Sequence, residues 1–203
     1  MTWVKVCGIT SAEALSVAED AGADAVGFVI APASPRYVDL ETVTAMARLA
    51  SVPTFIVSVD ITESEALEVL KRTGVAGIQP HGLHGYAVVE AAQAGGWKAL
   101  LPVPVGEAGP TIPLEAIGPH VMPLYDTAAG QRHGGTGQSF DWNLLGDVDR
   151  HFVLAGGLGP DNVRDAIMAV RPFGVDASSR LEVAPGVKDP DSIRAFIKEA
   201  KSV

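Results

Sequence analysis

The only cysteine among 203 residues, Cys7, sits in the run Val4-Lys5-Val6-Cys7-Gly8-Ile9-Thr10, two places after a lysine. A thiol beside an ammonium group can serve as a thiolate base or nucleophile, because the positive charge favours the ionised form. Two aspartates end apolar runs elsewhere, Asp126 after Leu124-Tyr125 and Asp176 after Gly174-Val175, where function gathers in a parallel architecture. Arg36 follows Ser34-Pro35 and reads, taken alone, as a solvated loop arginine, with a bidentate clamp on a carboxylate as its functional reading. His81 stands in Gln79-Pro80-His81-Gly82, where a plain structural role competes with ligand binding. The five histidines show neither the HxxxH nor the HExxH spacing, so no metal site is expected.

Glycine clusters complete the set. They are His133-Gly134-Gly135-Thr136-Gly137-Gln138 and Ala155-Gly156-Gly157-Leu158-Gly159-Pro160, followed by Asp176-Ala177-Ser178-Ser179-Arg180. Glycines allow close backbone approach, and helix starts offer unpaired N–H groups, so three such loops side by side would cradle a phosphate. One cluster alone would read as a tight turn.

These groups need elements to hold them. Apolar runs at 3–7, 25–30, 53–59, 75–79, 97–103, 121–125, 152–155 and 173–176 read as strands. Amphipathic segments at 11–21, 39–50, 62–73, 84–95, 160–171 and 190–201 read as helices, with shorter candidates at 113–118 and 141–147. Thr10 or Ser11, Thr62 and Pro160 supply start signals, and 102–113 reads as a loop leading to a degenerate fifth helix. Eight units predict one α/β domain over 1–203, a (β/α)8 TIM barrel, with an open doubly wound sheet as the competing layout. Either layout gathers chemistry at the carboxyl ends of the strands, where Cys7, Asp126 and the glycine loops fall. Strand alternation puts Lys5 on the same inward face as Cys7, with Asp126 and Asp176 also inward. Lys5 is then expected to lower the Cys7 pKa, to pair with Asp176, or both.

Composition bounds the partners. Fifteen basic against twenty-four acidic residues give a net charge of −9, which argues against nucleic acid and acidic membranes. No apolar run reaches the length of a membrane span, a leader is not expected before Cys7, and a single cysteine fits a reducing cytoplasm.

The motifs resemble one family, phosphoribosylanthranilate isomerase of tryptophan biosynthesis. The resemblance is carried by 5–10, Gly27-Phe28, Ser34-Pro35-Arg36, His81-Gly82, Asp126-Thr127, 134–142, Leu154-Ala155-Gly156-Gly157-Leu158, Asp176, Ser178-Ser179, Glu182 and 185–189. It implies a (β/α)8 barrel performing an Amadori rearrangement without a cofactor, as a monomer or homodimer acting on a small phosphorylated molecule. It implies Asp126 as general acid, Cys7 as general base, and Arg36 on the anthranilate carboxylate. Lys5, His81 and Asp176 would complete the substrate site. Gly135, Thr136, Gly137, Gly156, Gly157, Ser178 and Ser179 would hold the phosphate. Three positions depart from the pattern. Arg180 replaces a glycine, Pro80 replaces a leucine, and Leu83 and His84 stand where an acidic residue often follows His81-Gly82. The alternatives are the related histidine-pathway isomerase, which carries an aspartate in place of the cysteine, and a catalytically silent phosphate-binding barrel.

Overall fold

The computed structural model describes residues 1–128, 139–146 and 148–203. Along the chain run β1 (Trp3–Cys7), α1 (Ala12–Asp20), β2 (Ala25–Val29), α2 (Leu40–Leu49), β3 (Thr54–Val59) and α3 (Glu63–Thr73). Next come β4 (Gly77–His81), α4 (Gly85–Ala94), β5 (Lys98–Gly106), β6 (Gly109–Pro110), β7 (Met122–Thr127) and β8 (Val153–Leu154). The chain closes with α5 (Val163–Val170), β9 (Gly174–Ala177), β10 (Glu182–Ala184), β11 (Val187–Lys188) and α6 (Pro190–Lys201). Single 3-10 turns lie at Leu114–Ala116, Trp142–Leu145 and Ser179–Leu181.

Strands β1 to β5 and β7 to β9 pair in parallel in the order β4-β3-β2-β1-β9-β8-β7-β5, and β4 pairs with β5 to close an eight-stranded barrel. The open-sheet layout is thereby excluded. Helix starts follow local chemistry. The Ser11 side chain accepts from the Ala14 N–H, Thr62 and Glu65 form a reciprocal capping box, and Asp189 caps α6 with Pro190 in its first turn. No described helix is long and apolar enough to cross a membrane.

The outer faces of the strands, including Val4, Val6, Val26, Phe28, Ile56 and Ile78, are fully buried under the helices. Each such side chain contributes about 1.5–3 kcal/mol by leaving water. The barrel interior is layered. Its floor is apolar: Trp3 meets Phe55 edge-on at 6.5 Å, with Leu100, Met122, Leu124 and Val153 around them. Above the floor lies a polar layer of Lys5, Gln79 and Asp176, all buried. Cys7, Val29 and Val57 come next, toward the carboxyl ends.

Two expectations are corrected. The segment 102–106 is strand rather than loop, because Val103 and Val105 bury outward while β5 pairs with β7 as far as Val105↔Thr127. Beyond it, the β5–β6 hairpin and a single 3-10 turn stand in place of a helix. Pro160 does not begin a helix. It lies in a turn, and α5 starts three residues later, after Asn162 has accepted from the Gly159 N–H at 2.8 Å.

Prolines explain an irregularity in the barrel wall. The pairing of β4 with β5 ends at Ile78↔Ala99, although both strands continue. The Val105 carbonyl accepts from Ala128, so odd-numbered residues of β5 address β7; on the other edge Pro102 faces β4, while the Pro104 carbonyl accepts from the Thr111 N–H just past β6. On β4 the His81 carbonyl accepts from Asp60 of the β3 side, which turns Pro80 toward β5. With prolines on both sides, the ladder has no N–H donors left to continue it.

Candidate active site

Strand β1 delivers the first two groups. Lys5 registers opposite Asp176 of β9, and Cys7 opposite Gly27 of β2. The Lys5 ammonium donates to Asp176 Oδ1 at 3.0 Å and to Gln79 Oε1 at 2.9 Å, with no exposed surface. Gly27 makes room for this arrangement: a Cβ there would lie 3.0 Å from Cys7 Sγ and 3.2 Å from Lys5 Nζ. The inward parity read from the sequence therefore holds. Lys5 also acts as expected on both neighbours, pairing with Asp176 and pulling the Cys7 thiol down, but it does not set the net value. Burial pushes the Cys7 thiol up, and Lys5, which pulls it down, does not overcome that, so the thiol sits above its ordinary value. Lys5 itself is pushed down by burial but raised further by Asp176 and Cys7, and it stays firmly protonated.

Asp126 ends β7, facing the same mouth of the barrel. Burial first, and then the Asp176 carboxylate, raise its pKa to about 7, against a downward pull from the Thr127 N–H, 2.8 Å from Oδ1. Gly156 is what allows this packing. Its φ is +88°, and a Cβ would fall 2.4 Å from Thr127 Oγ1 and 2.9 Å from Asp126 Oδ1. The next glycine, Gly157 (φ +63°), turns its carbonyl into the protein, where Ser139, Asn162 and Arg180 all donate to it. In a planar trans peptide the Leu158 N–H then points the opposite way. Arg180 neither strains the loop nor stands as a loose cation. It has no positive φ, and its guanidinium grips Asp161 through two bonds of 2.8 Å. Ser178 and Ser179 lie at the end of β9, and Ser178 Oγ would be 2.8 Å from a Cβ on Gly8. Gly135, Thr136 and Gly137 lie outside the described residues.

Arg36 comes over Gly8 (φ +73°), whose absent side chain leaves space for Arg36 Cδ. Its Nε and Nη2 meet the Glu182 carboxylate side-on at 2.7 and 2.8 Å. Glu182 also takes Lys188 at 2.8 Å, and Lys188 reaches the Ser178 carbonyl at 2.9 Å. His81 ends β4 with Nε2 at 3.1 Å from Gln79 Nε2. Because Gln79 Oε1 already accepts from Lys5, its amide donates to His81, which fixes the Nδ1–H tautomer. At the neighbouring strand end Asp60 accepts from the Leu83 N–H at 3.0 Å.

The structure thus brings Cys7, Lys5, Asp126, Asp176, Arg36, His81 and Ser178 to one end of one barrel. Gln79, Glu182, Lys188 and Asp60 were not singled out as site residues. Gln79 could have been found by parity, two residues before His81, and Glu182 and Lys188 fall within the motif block at 182–189.

The comparisons agree with this geometry. The family model described as N-(5'-phosphoribosyl)anthranilate isomerase matches residues 4–199. A protein of that name from Thermotoga petrophila is 39% identical over 209 residues, covering all of both chains. A crystal structure of mutually generated monomers of the dimeric isomerase from Thermotoga maritima superposes with a TM-score of 0.85 at 35% identity, again over all of both chains. A second structure, of the isomerase in complex with reduced 1-(o-carboxyphenylamino)-1-deoxyribulose 5-phosphate, gives 0.82 at 35% identity and full coverage.

Proposed function

The chain belongs to the N-(5'-phosphoribosyl)anthranilate isomerase family, and from that membership we infer how its own residues divide the work. Its activity is the isomerisation of N-(5'-phosphoribosyl)anthranilate to 1-(2-carboxyphenylamino)-1-deoxyribulose 5-phosphate in tryptophan biosynthesis. Asp126, protonated, donates to the furanose ring oxygen; the C1'–O bond breaks and the anthranilate nitrogen lone pair forms the Schiff base. Cys7, as thiolate, takes the C2' proton, and the electron pair moves into C1'=C2' as the iminium becomes an enolamine. Tautomerisation moves the 2'-hydroxyl proton to C1' and yields the ketone, and net passage of one proton from the Cys7 thiol back to Asp126 through solvent restores both groups.

The observation that carries this division is a carboxyl held near 7 at the end of β7, on the same barrel mouth as Cys7. A carboxyl at its ordinary value would be almost fully ionised at neutral pH and could not act as the acid. Asp176 has a double effect: it lifts Asp126 and keeps Lys5 charged. Arg36 takes the anthranilate carboxylate, and the glycine loops with Ser178 and Ser179 take the phosphate. Lys5 and His81 line the sugar. The chain functions as one domain in the cytoplasm, where reducing conditions suit a catalytic thiol. It acts as a monomer or a homodimer, which sedimentation velocity distinguishes.

The deciding experiment is growth of a tryptophan auxotroph lacking this isomerase. The parent chain should restore growth, and Cys7→Ala and Asp126→Asn should not. Growth with both variants would refute the assigned acid and base. Failure of the parent, with growth of a histidine auxotroph instead, would favour the histidine-pathway reading.

A further inference from the structure

The β10–β11 hairpin does nothing in the acid–base scheme, yet it buries two charges. Glu182 and Lys188 face each other across it, with side chains only 3% and 1% exposed. The Glu182 carboxylate is saturated with donors: Arg36 Nε and Lys188 Nζ on Oε1, and Arg36 Nη2 and the Gly186 N–H on Oε2, the last at 3.3 Å. Two glycines clear the approach. Gly8 leaves space for Arg36, and Gly186 (φ +83°) lets the hairpin press on the loop before Arg36, where a Cβ would lie 2.3 Å from the Pro35 carbonyl. Thr10 ties the same turn to β1's end through a 2.7 Å bond to the Gly186 carbonyl.

Arg36 is 12% exposed in this arrangement. A side-on pair consumes Nε and one hydrogen of Nη2. The Nη1/Nη2 edge remains, and that edge forms a forked pair with a second carboxylate. The cluster of two cations and one anion keeps one net positive charge, so a second anion is still attracted. Long arginine side chains lose much rotamer freedom on binding, and a partner that immobilises the guanidinium beforehand removes that cost.

We propose that Glu182 is a positioning residue for substrate recognition: it presents the outer edge of Arg36 to the carboxylate on the ligand's aromatic ring, with Lys188 holding Glu182 in place. The proposal rests on the reading of Arg36 as the carboxylate clamp. A competing physical account makes Glu182 a counter-charge that weakens Arg36. The two accounts differ in sign, since removing the charge should then strengthen carboxylate binding.

The test compares two ligands by calorimetry, reduced 1-(o-carboxyphenylamino)-1-deoxyribulose 5-phosphate and the same molecule lacking the carboxyl group. The ratio of their Kd values measures carboxylate recognition alone. It should fall about fivefold or more in Glu182→Gln, recover in part in Glu182→Asp, and approach one in Arg36→Met. The ligand without the carboxyl should bind Glu182→Gln about as it binds the parent. A ratio that is unchanged or increased in Glu182→Gln but lost in Arg36→Met would overturn the role of Glu182 and leave Arg36 as the clamp. A ratio unchanged in Arg36→Met would overturn the clamp itself, and the proposal with it. Equal weakening of both ligands in Glu182→Gln and Glu182→Asp would also overturn it, by showing a general structural role.

Discussion

Burial acts on Asp126 and Cys7 in the same direction, and the outcome is an inverted pair: the acid titrates near 7 and the base above its ordinary thiol value. The reactive form, protonated Asp126 with ionised Cys7, is therefore a minority species of the free enzyme. Below pH 7 Asp126 is protonated and the rate follows the growing thiolate fraction. Between the two values the gain in thiolate and the loss of protonated acid cancel, and above both the rate falls. The kcat/KM profile should accordingly show an acid limb near pH 7 that belongs to Asp126 and an alkaline limb that belongs to Cys7. Asp126→Asn should lose about 10²- to 10⁴-fold in rate, and its residual activity should rise with pH without the break near 7. An acid limb at pH 4–5 in the parent, the range of an unperturbed carboxyl, would contradict the assignment (about 3.9 for Asp). Lys5 has a separate signature. Because its charge pulls the thiol down, Lys5→Met should raise the Cys7 pKa and slow alkylation at pH 8. It also strands the buried Asp176, at a cost of about 3–5 kcal/mol, which adding Asp176→Asn should largely restore. An unchanged alkylation titration would remove Lys5 from the account of Cys7.

At the scale of elements, glycines at strand ends turn out to shape the protein as much as to receive ligand. Beside its proposed part in holding phosphate, Gly156 leaves the space that Thr127 and Asp126 of the adjoining strand occupy. Gly156→Ala should cost about 1–3 kcal/mol from positive φ and crowding, and lower kcat by about tenfold to a hundredfold by displacing Asp126. A raised KM with kcat preserved would show that Gly156 acts on the phosphate alone and does not shape the Asp126 pocket. The strands, six main helices and inward faces were legible in the sequence because periods of 2 and 3.6 record burial directly, as at Lys5 and Cys7. The course of 102–106 was not, since Pro102 and Pro104 signal a loop unless one knows which side of the strand they address. Nor was the balance at Cys7, where attraction to Lys5 is readable from spacing but the desolvation that outweighs it depends on the packed interior. Glu182 and Lys188 were visible as motif letters, but nothing in their spacing revealed that both meet Arg36.

Over the whole molecule the two ends of the barrel divide stability from function. At the amino-terminal end Arg150 spreads its guanidinium over the carbonyls of Ile117, Gly118, Pro119 and Val121, just before β7 begins. Losing these charge-assisted bonds should make Arg150→Ala less stable by about 2–4 kcal/mol in urea denaturation, with KM unchanged because the contact is a barrel length from the site. A shifted KM would show that the ends are coupled. The floor of Trp3, Phe55 and Leu124 separates them and keeps water from reaching the Lys5 layer from below.

The prolines between β4 and β5 give this cylinder an uneven rim. At its base the wall is a continuous hoop of hydrogen bonds, but toward the mouth the seam between β4 and β5 lies open from Pro80 and Pro102 onward. Since Pro80 and Pro102 bring no N–H, no β4–β5 ladder bond spans that seam. Beneath the notch the pairs Gly77↔Lys98 and Ile78↔Ala99 are what hold that seam closed.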